Sequence, residues 1–408
     1  MVVILYQVGC QDIALNTASE LGDVFRDQVA VAQVAADSAS SWPADRSWDD
    51  LLIVVYTDQE FPLAGIEFIA NYLQERSGAA PLLPVAIDVA SRKPPGQAAA
   101  IKALQFDAAA PGPTGRLVSR AGGMLGLRMR GRDSKIFISY RASDGTAIAN
   151  QLHDYLTALG HQSFLDEAKE FDGETKIRPG TPVQKQIDEA LSIANLVLLI
   201  DTPSAPNSKW IKHEVDTADG LLLPVFPVCF RDADDPKHGP RFRSLLSLQR
   251  WVQLQQPAAS DNPPLSTAQL EQIVGEAEKY LCEIFRRKCR VPFIVETEFV
   301  SRGFAWKILD KRLLMFESLK RQSLRLQTKV LSHCSLFDQI YMPAVKRFRS
   351  FLDSTGRENH SLFIYDGELL SPPQLEDLIE SEPDDVIILH HQELAALIDS
   401  NFTTLGTT

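Results

Sequence analysis

No CxxC pair occurs in this chain, and its five cysteines, Cys10, Cys229, Cys282, Cys289 and Cys334, are odd in number and widely scattered. The pattern supports neither a zinc knuckle nor a disulfide framework, and it suits a reducing compartment. Long apolar runs are missing too, since no stretch reaches the roughly 20 residues a bilayer-spanning helix needs. The opening "MVVILYQVGC" lacks the basic n-region of a secretory signal and reads as a first strand, so a cytoplasmic protein without membrane association is expected. A positive charge balance is also absent. The formal net charge of -12 argues against coating nucleic acid along the whole length and leaves room only for a local basic patch. What is present is 408 residues, 45% hydrophobic and 23% charged, which is a soluble globular composition with chain enough for two to four domains.

The first 107 residues alternate between strand-like and helix-like pieces. "VVILYQ", "LLIVVY" and "PLLPVAID" are buried-strand candidates, with "DIALNTASELGDVFRD" and "LAGIEFIANYLQER" as helices between them. This is the rhythm of a parallel sheet flanked by helices. "AAAPGPTG" (108–115) reads as a linker. The glycines that follow, Gly122, Gly123 and Gly126, lack the strand-to-helix placement of a dinucleotide fingerprint.

The rhythm restarts at residue 135. "KIFISY" is a strand, and "SDGTAIANQLHDYLTALG" is a helix, with Ser143 or Asp144 as its cap, Asp144 preferred, and Gly160 as its stop. "QSFLD" is a strand, followed by a polar loop from Glu167 to Gly180. The helix "TPVQKQIDEALSIA", the strand "NLVLLI", the helix "SKWIKHEVDTADG" and the strand "LLLPVFPVCF" complete the series, with "QRWVQL" as an edge strand. Ser266 and Gln269 form a capping box for a helix running to about Arg287. The two halves share an order of strand, polar loop, Glu-bearing helix and "LLPV" strand, so they read as related units.

Three motifs of the second unit carry a family resemblance. They are the strand "KIFISYRASD" (135–144), the loop "FLDEAKEFDGETKIRPGTPV" with its exit at Arg178, Pro179 and Gly180, and the helix start "SKWIKHE" (208–214). In this order they resemble the Toll/interleukin-1 receptor (TIR) domain, specifically the bacterial NAD-cleaving type. The resemblance implies a flavodoxin-like parallel-sheet domain over 131–288. It also implies hydrolysis or cyclisation of NAD+ at the nicotinamide–ribose bond, with NAD+ as substrate and no cofactor. Glu214 is the implied catalytic carboxylate. One acid suffices, because nicotinamide departs from a cationic ring and needs no general acid, unlike the leaving group of ordinary sugar hydrolysis. Trp210, one helical turn earlier, is the expected wall for the nicotinamide end. Tyr140 and Arg141 follow the first strand of this unit, where open α/β sheets bind ligands, with Arg141 suited to the pyrophosphate. Phe164 and Asp166 are expected to line the same crevice, with Arg178 beside it. Such enzymes serve signalling or antiviral defence and are switched on by self-association.

A non-enzymatic TIR adaptor is the competing expectation, and a nucleoside-processing enzyme of similar form is a third. Residues 1–115 read as a degenerate TIR-like unit. Glu67 falls near the place of Glu214, but Leu63 replaces the tryptophan and no "RPG" loop is evident. Residues 289–408 read as a smaller α/β or α+β domain. Between 284 and 350 there are fifteen Lys/Arg against five Asp/Glu. "WKILDKRLLMFESLKRQSLRLQTKVLSHCSLF" shows helical spacing there, and "HSLFIYDG" and "DDVIILHH" are two strands. The basic excess suits a nucleic-acid or nucleotide signal, a protein partner, or simply a solvated face. His213 is expected at the surface. His390 and His391 are read as ending a strand without other ligand-type neighbours, so no metal site is expected.

Overall fold

The computed structural model describes residues 1–26, 29–44, 50–74, 81–87, 93–109, 112–128, 135–165, 183–221, 223–232, 235, 238–242, 250–258, 261, 263–310, 313–318, 327–331, 359–369 and 386–400. The chain divides into two compact units, one holding most of the residues up to Phe285 and the other holding Arg286–Thr408 with two short pieces from earlier in the chain.

The first unit contains two parallel sheets. In the first sheet lie β1 (Val2–Tyr6), β2 (Val31–Ala35), β3 (Leu51–Tyr56), β4 (Leu82–Ile87) and β5 (Leu104–Phe106), in the order β2-β1-β3-β4-β5. Helices α1 (Gln11–Phe25), α2 (Leu63–Gln74) and α3 (Pro113–Gly126) belong to it. In the second sheet lie β6 (Lys135–Ser139), β7 (Gln162–Leu165), β8 (Ala194–Asp201), β9 (Val225–Arg231) and β10 (Val252–Gln255), in the order β10-β9-β8-β6-β7. Its helices are α4 (Ala142–Ala158), α5 (Val183–Ser192), α6 (Lys209–Gly220) and α7 (Thr267–Ser301). Every pairing in both sheets is parallel. Counted from each unit's first strand, both orders are 2-1-3-4-5, the flavodoxin-like arrangement. The apolar runs explain the strands. β3, β4 and β8 are buried along their whole length, as parallel strands covered on both faces must be.

Residues read as a linker open a helix instead. Pro113 occupies the first turn of α3, whose fixed φ suits that position. The downstream glycines serve packing. A Cβ on Gly126 would lie 2.9 Å from the Leu281 carbonyl oxygen of α7, and one on Gly123 would lie 3.0 Å from the Glu278 backbone. The absent side chains let α3 and α7 approach closely, so the two sheets share one body. Phe25 and Phe285 meet edge to face at 5.0 Å beside this contact. Arg120 pairs with Glu278, and His161 Nε2 lies 3.6 Å from the same carboxylate. Burial, followed by the neighbouring Arg120 charge, lowers the His161 pKa against the opposing pull of Glu278.

The capping box forms as expected: Ser266 N donates to Gln269 Oε1 at 2.8 Å and Gln269 N to Ser266 Oγ at 3.3 Å. The helix it starts continues past Arg287 to Ser301.

The second unit differs from its reading. The segment with helical spacing contains β11 (Phe304–Asp310), β12 (Leu313–Ser318) and β13 (Gln327–Leu331), which pair antiparallel. Its apolar residues satisfy a period of two as well as one near 3.6, and the register sets Trp306 opposite Phe316 and Ile308 opposite Leu314. The pairing, not the spacing, selects the strand. β14 (Asn359–Tyr365) and β15 (Val386–His390) follow in parallel, completing the mixed sheet β11-β12-β13-β14-β15. No helix among the described residues is long and apolar enough to cross a membrane.

Candidate active site

In a 2-1-3-4-5 sheet the strand order reverses between the first and third strands, and the loops at their carboxyl ends diverge to leave a crevice. In the second sheet this place lies between β6 and β8, which pair through Ser139 and Leu199. β6 ends at Ser139, the serine of the "ISYR" motif. α6 begins shortly after β8 and returns Glu214 to the same point. Ser139 Oγ donates to Glu214 Oε2 at 2.5 Å, across 75 residues of sequence. Both residues are completely buried. A carboxylate held by a hydroxyl away from water is an uncommon arrangement, since burying a charge costs several kcal/mol unless partners offset it.

A second cluster closes the loops above. Arg141 takes the N-cap position of α4 in extended backbone, and the Gly145 N–H donates to its carbonyl at 2.8 Å. Its guanidinium Nη1 donates to the Ser204 carbonyl at 2.5 Å. Asp144, expected as the helix cap, instead accepts from Ser204 N at 3.3 Å and from Ser204 Oγ. The start of α4 is thereby tied to the 3₁₀ turn at Ala205–Asn207 that leads into α6. Behind it, fully buried Asp201 at the end of β8 accepts from Arg231 Nη2 at 3.1 Å and from the Arg241 backbone N–H at 2.7 Å. Those bonds fix the carboxyl ends of β8 and β9. Burial and the Asp201 charge push the neighbouring Cys229 thiol up to about 12.

The remaining site expectations fall unevenly. Trp210 sits one turn before Glu214 with 44% of its surface exposed. Tyr140 is 1% exposed and packs beside Gly145, so it supports the loop from beneath. Phe164 is not brought to the Ser139–Glu214 pair. It stacks on Phe137 at 5.6 Å and lines a separate hollow of about 440 Å³ with Lys135, Ile193 and Ala194, where β6 and β8 begin rather than end. Asp166 and Arg178 lie outside the described residues, as does the loop that carries them. His213 lies at the surface with Nε2 3.0 Å from Asp188 Oδ1. Ser139 lies inside the "ISYR" motif, yet only the fold brings it to Glu214, and Ser204 carries no local sequence signal.

The first sheet fills its own switch point differently. Gln7, just past β1, is buried; its Nε2 donates to the Glu60 carbonyl at 2.9 Å and its Oε1 accepts from Thr57 N at 2.9 Å. An amide bridges the two loops there, and Glu67 on α2 is exposed. In the second unit, the expectation of histidines without ligand-type neighbours is corrected. Parallel pairing of β14 and β15 brings Asp366, His390 and His391 together, with ligand atoms within 4.8 Å of one another.

Fold and site thus define a pair of flavodoxin-like α/β domains, the second with a buried acid at its switch point. Residues 136–268 match the family model described as the TIR domain, so the chain carries a TIR domain there. No curated protein matches the chain. Among solved structures, the TIR domains of the activated Roq1 resistosome, which directly recognizes the pathogen effector XopQ, are 15% identical. That likeness covers 37% of this chain and 84% of the other at a TM-score of 0.21. A protein from Silicibacter pomeroyi DSS-3 described as a phosphosugar isomerase is 16% identical over 69% of this chain and 85% of the other, with a TM-score of 0.19. At such scores neither bears on the chemistry of the site.

Proposed function

We propose that the TIR domain cleaves NAD+ between nicotinamide and ribose, by hydrolysis or cyclisation, with Glu214 as the catalytic carboxylate. The observation that carries this reading is the buried Ser139–Glu214 pair at the switch point. When the C1′–N bond breaks, its electron pair leaves with nicotinamide and neutralises the pyridinium. Positive charge develops on the ribose, and a carboxylate in a water-poor site stabilises it. Water, or a nucleophile within ADP-ribose itself, then takes C1′ and gives up its proton. Trp210 would flank the nicotinamide end, and Arg141, once released from Ser204, would meet the pyrophosphate.

Full burial of Glu214 suits an enzyme that is silent until rearranged, because substrate reaches the acid only when the residues covering it move. Self-association through TIR domains, with one protomer's loop from Glu167 to Gly180 completing its neighbour's site, is the switch we infer. A nucleic-acid, nucleotide or protein signal acting through the basic stretch of the second unit is the accompanying trigger, in a cytoplasmic antiviral or signalling role. The Gln7 bridge in the first sheet favours regulation or pairing over a second active site.

The test is release of nicotinamide from NAD+ across a range of protein concentrations. Wild type is expected to gain specific activity with concentration, and Glu214→Gln to lose it at every concentration. Equal activity in the variant would remove the mechanism. Absence of nicotinamide from fully assembled wild type would favour the adaptor, in which α6 serves docking alone.

A further inference from the structure

We infer that the ends of β14 and β15 form a divalent-metal site, with Asp366, His390 and His391 as ligands and Zn2+ as the ion of best fit. The inference is independent of the NAD+ chemistry and concerns only the second unit. The parallel register sets Tyr365 opposite His390, so Asp366, just past β14, falls beside His390 at the end of β15 and His391 at the start of the turn that follows. Their ligand atoms lie within 4.8 Å of one another. Binding at about 2.0–2.2 Å needs only a modest closing of that triangle.

The surroundings are arranged as the outer partners of metal ligands are. Asp366 is 3% exposed. Its Oδ2 lies 3.2 Å from Arg287 Nη1, and its Oδ1 accepts from Glu368 N at 3.0 Å. A carboxylate offers about four lone-pair sites, so these contacts orient the group while leaving acceptor capacity for an ion. Gln392 N donates to His390 Nδ1 at 3.2 Å. That bond orients the His390 ring. The rings of His390 and His391 lie 4.5 Å apart at 31°, half-buried, so water and ions reach them. Two imidazoles with one carboxylate form the donor set of open zinc sites, in which a fourth position keeps water. A doubly charged ion matches the carboxylate of this donor set.

The full-length chain, freed of any affinity tag and stripped with chelator, is titrated with Co2+ and then Zn2+. The expected result is about one equivalent of Co2+ with the intense visible bands of four-coordination, displaced by Zn2+. His391→Gln and His390→Gln should each weaken Co2+ binding at least about tenfold while leaving the circular dichroism of the metal-free chain unchanged. Asp366→Asn should do the same, and Glu368→Gln, whose backbone alone is used, should not. Wild type that binds no Co2+, or histidine variants that bind as wild type does, would overturn the assignment.

Discussion

Ser139→Ala removes one hydroxyl from a fully buried pair whose acceptor is an acid 2.5 Å away. A hydrogen bond to a charged group is worth about 1.5–3 kcal/mol, and truncating its donor removes that contribution from the buried acid. That figure sets two expectations. Hydrogen exchange at β6 and β8 amides in the full chain should show protection reduced by about that amount, since both strands frame the pair. With about 1.36 kcal/mol per tenfold in rate, kcat/KM for nicotinamide release should fall by about one to two powers of ten. Glu214→Gln supplies the control, because an amide keeps the shape but turns the bond into a neutral one worth about 0.5–1.5 kcal/mol. Ser139→Ala should therefore cost less exchange protection when combined with Glu214→Gln, with a coupling of about 1 kcal/mol or more. Protection and turnover unchanged by Ser139→Ala, or equal losses with and without Glu214→Gln, would refute the idea that this hydroxyl supports a charged acid.

Three other outcomes are expected. The lowered His161 pKa means the unfolded chain binds a proton that the folded chain refuses. Stability should accordingly be full above pH 6.5 and decline below it, by at most about 1.4 kcal/mol per pH unit, and His161→Gln should flatten that decline in denaturant titrations at about pH 7.5 and 5.5. Gly126→Ala should destabilise the first unit by about 1–3 kcal/mol despite alanine's better helix propensity, because its Cβ meets the Leu281 carbonyl; exchange protection in α3 and α7 would report it. Cys229, with its thiol pushed up to about 12 and its side chain buried, should resist alkylation in the native protein at about pH 9 and react once denaturant is added, as peptide mass spectrometry would show.

Much of the two-sheet core was readable because parallel strands covered on both faces leave continuous apolar runs. "LLIVVY" and "NLVLLI" have few alternatives once turn residues bound them. Contacts between distant segments were not readable in that way. Nothing local says that the serine ending β6 and an acid on α6 share a hydrogen bond; only the strand order brings them together. The same holds for Asp366 and the two histidines, which parallel pairing joins. The helical reading of residues 306–337 failed over its described residues for a different reason. Apolar residues separated by one to three basic ones fit both periods, and an antiparallel hairpin settled the choice through long-range pairing that a window of sequence does not contain. Asp144 has the chemistry of a cap but found a better partner in Ser204, whose backbone and hydroxyl both reach it.

On the proposed function, the tie between Arg141 and Ser204 sets a toll on ligand affinity. One of the guanidinium's five N–H donors is committed to the Ser204 carbonyl, and that bond fixes the direction in which the rest of the fork faces. Turning that fork toward an anion elsewhere exchanges one charge-assisted bond for another, which nets far less than a fresh contact would. In an isolated chain the entrance to the crevice therefore behaves as a competitor for its own ligand. Whatever pulls Ser204 away from α4 releases the arginine and discharges that competition at once. A modest shift of one turn would then act as an amplifier, turning weak occupancy into firm binding without the acid beneath it having to change.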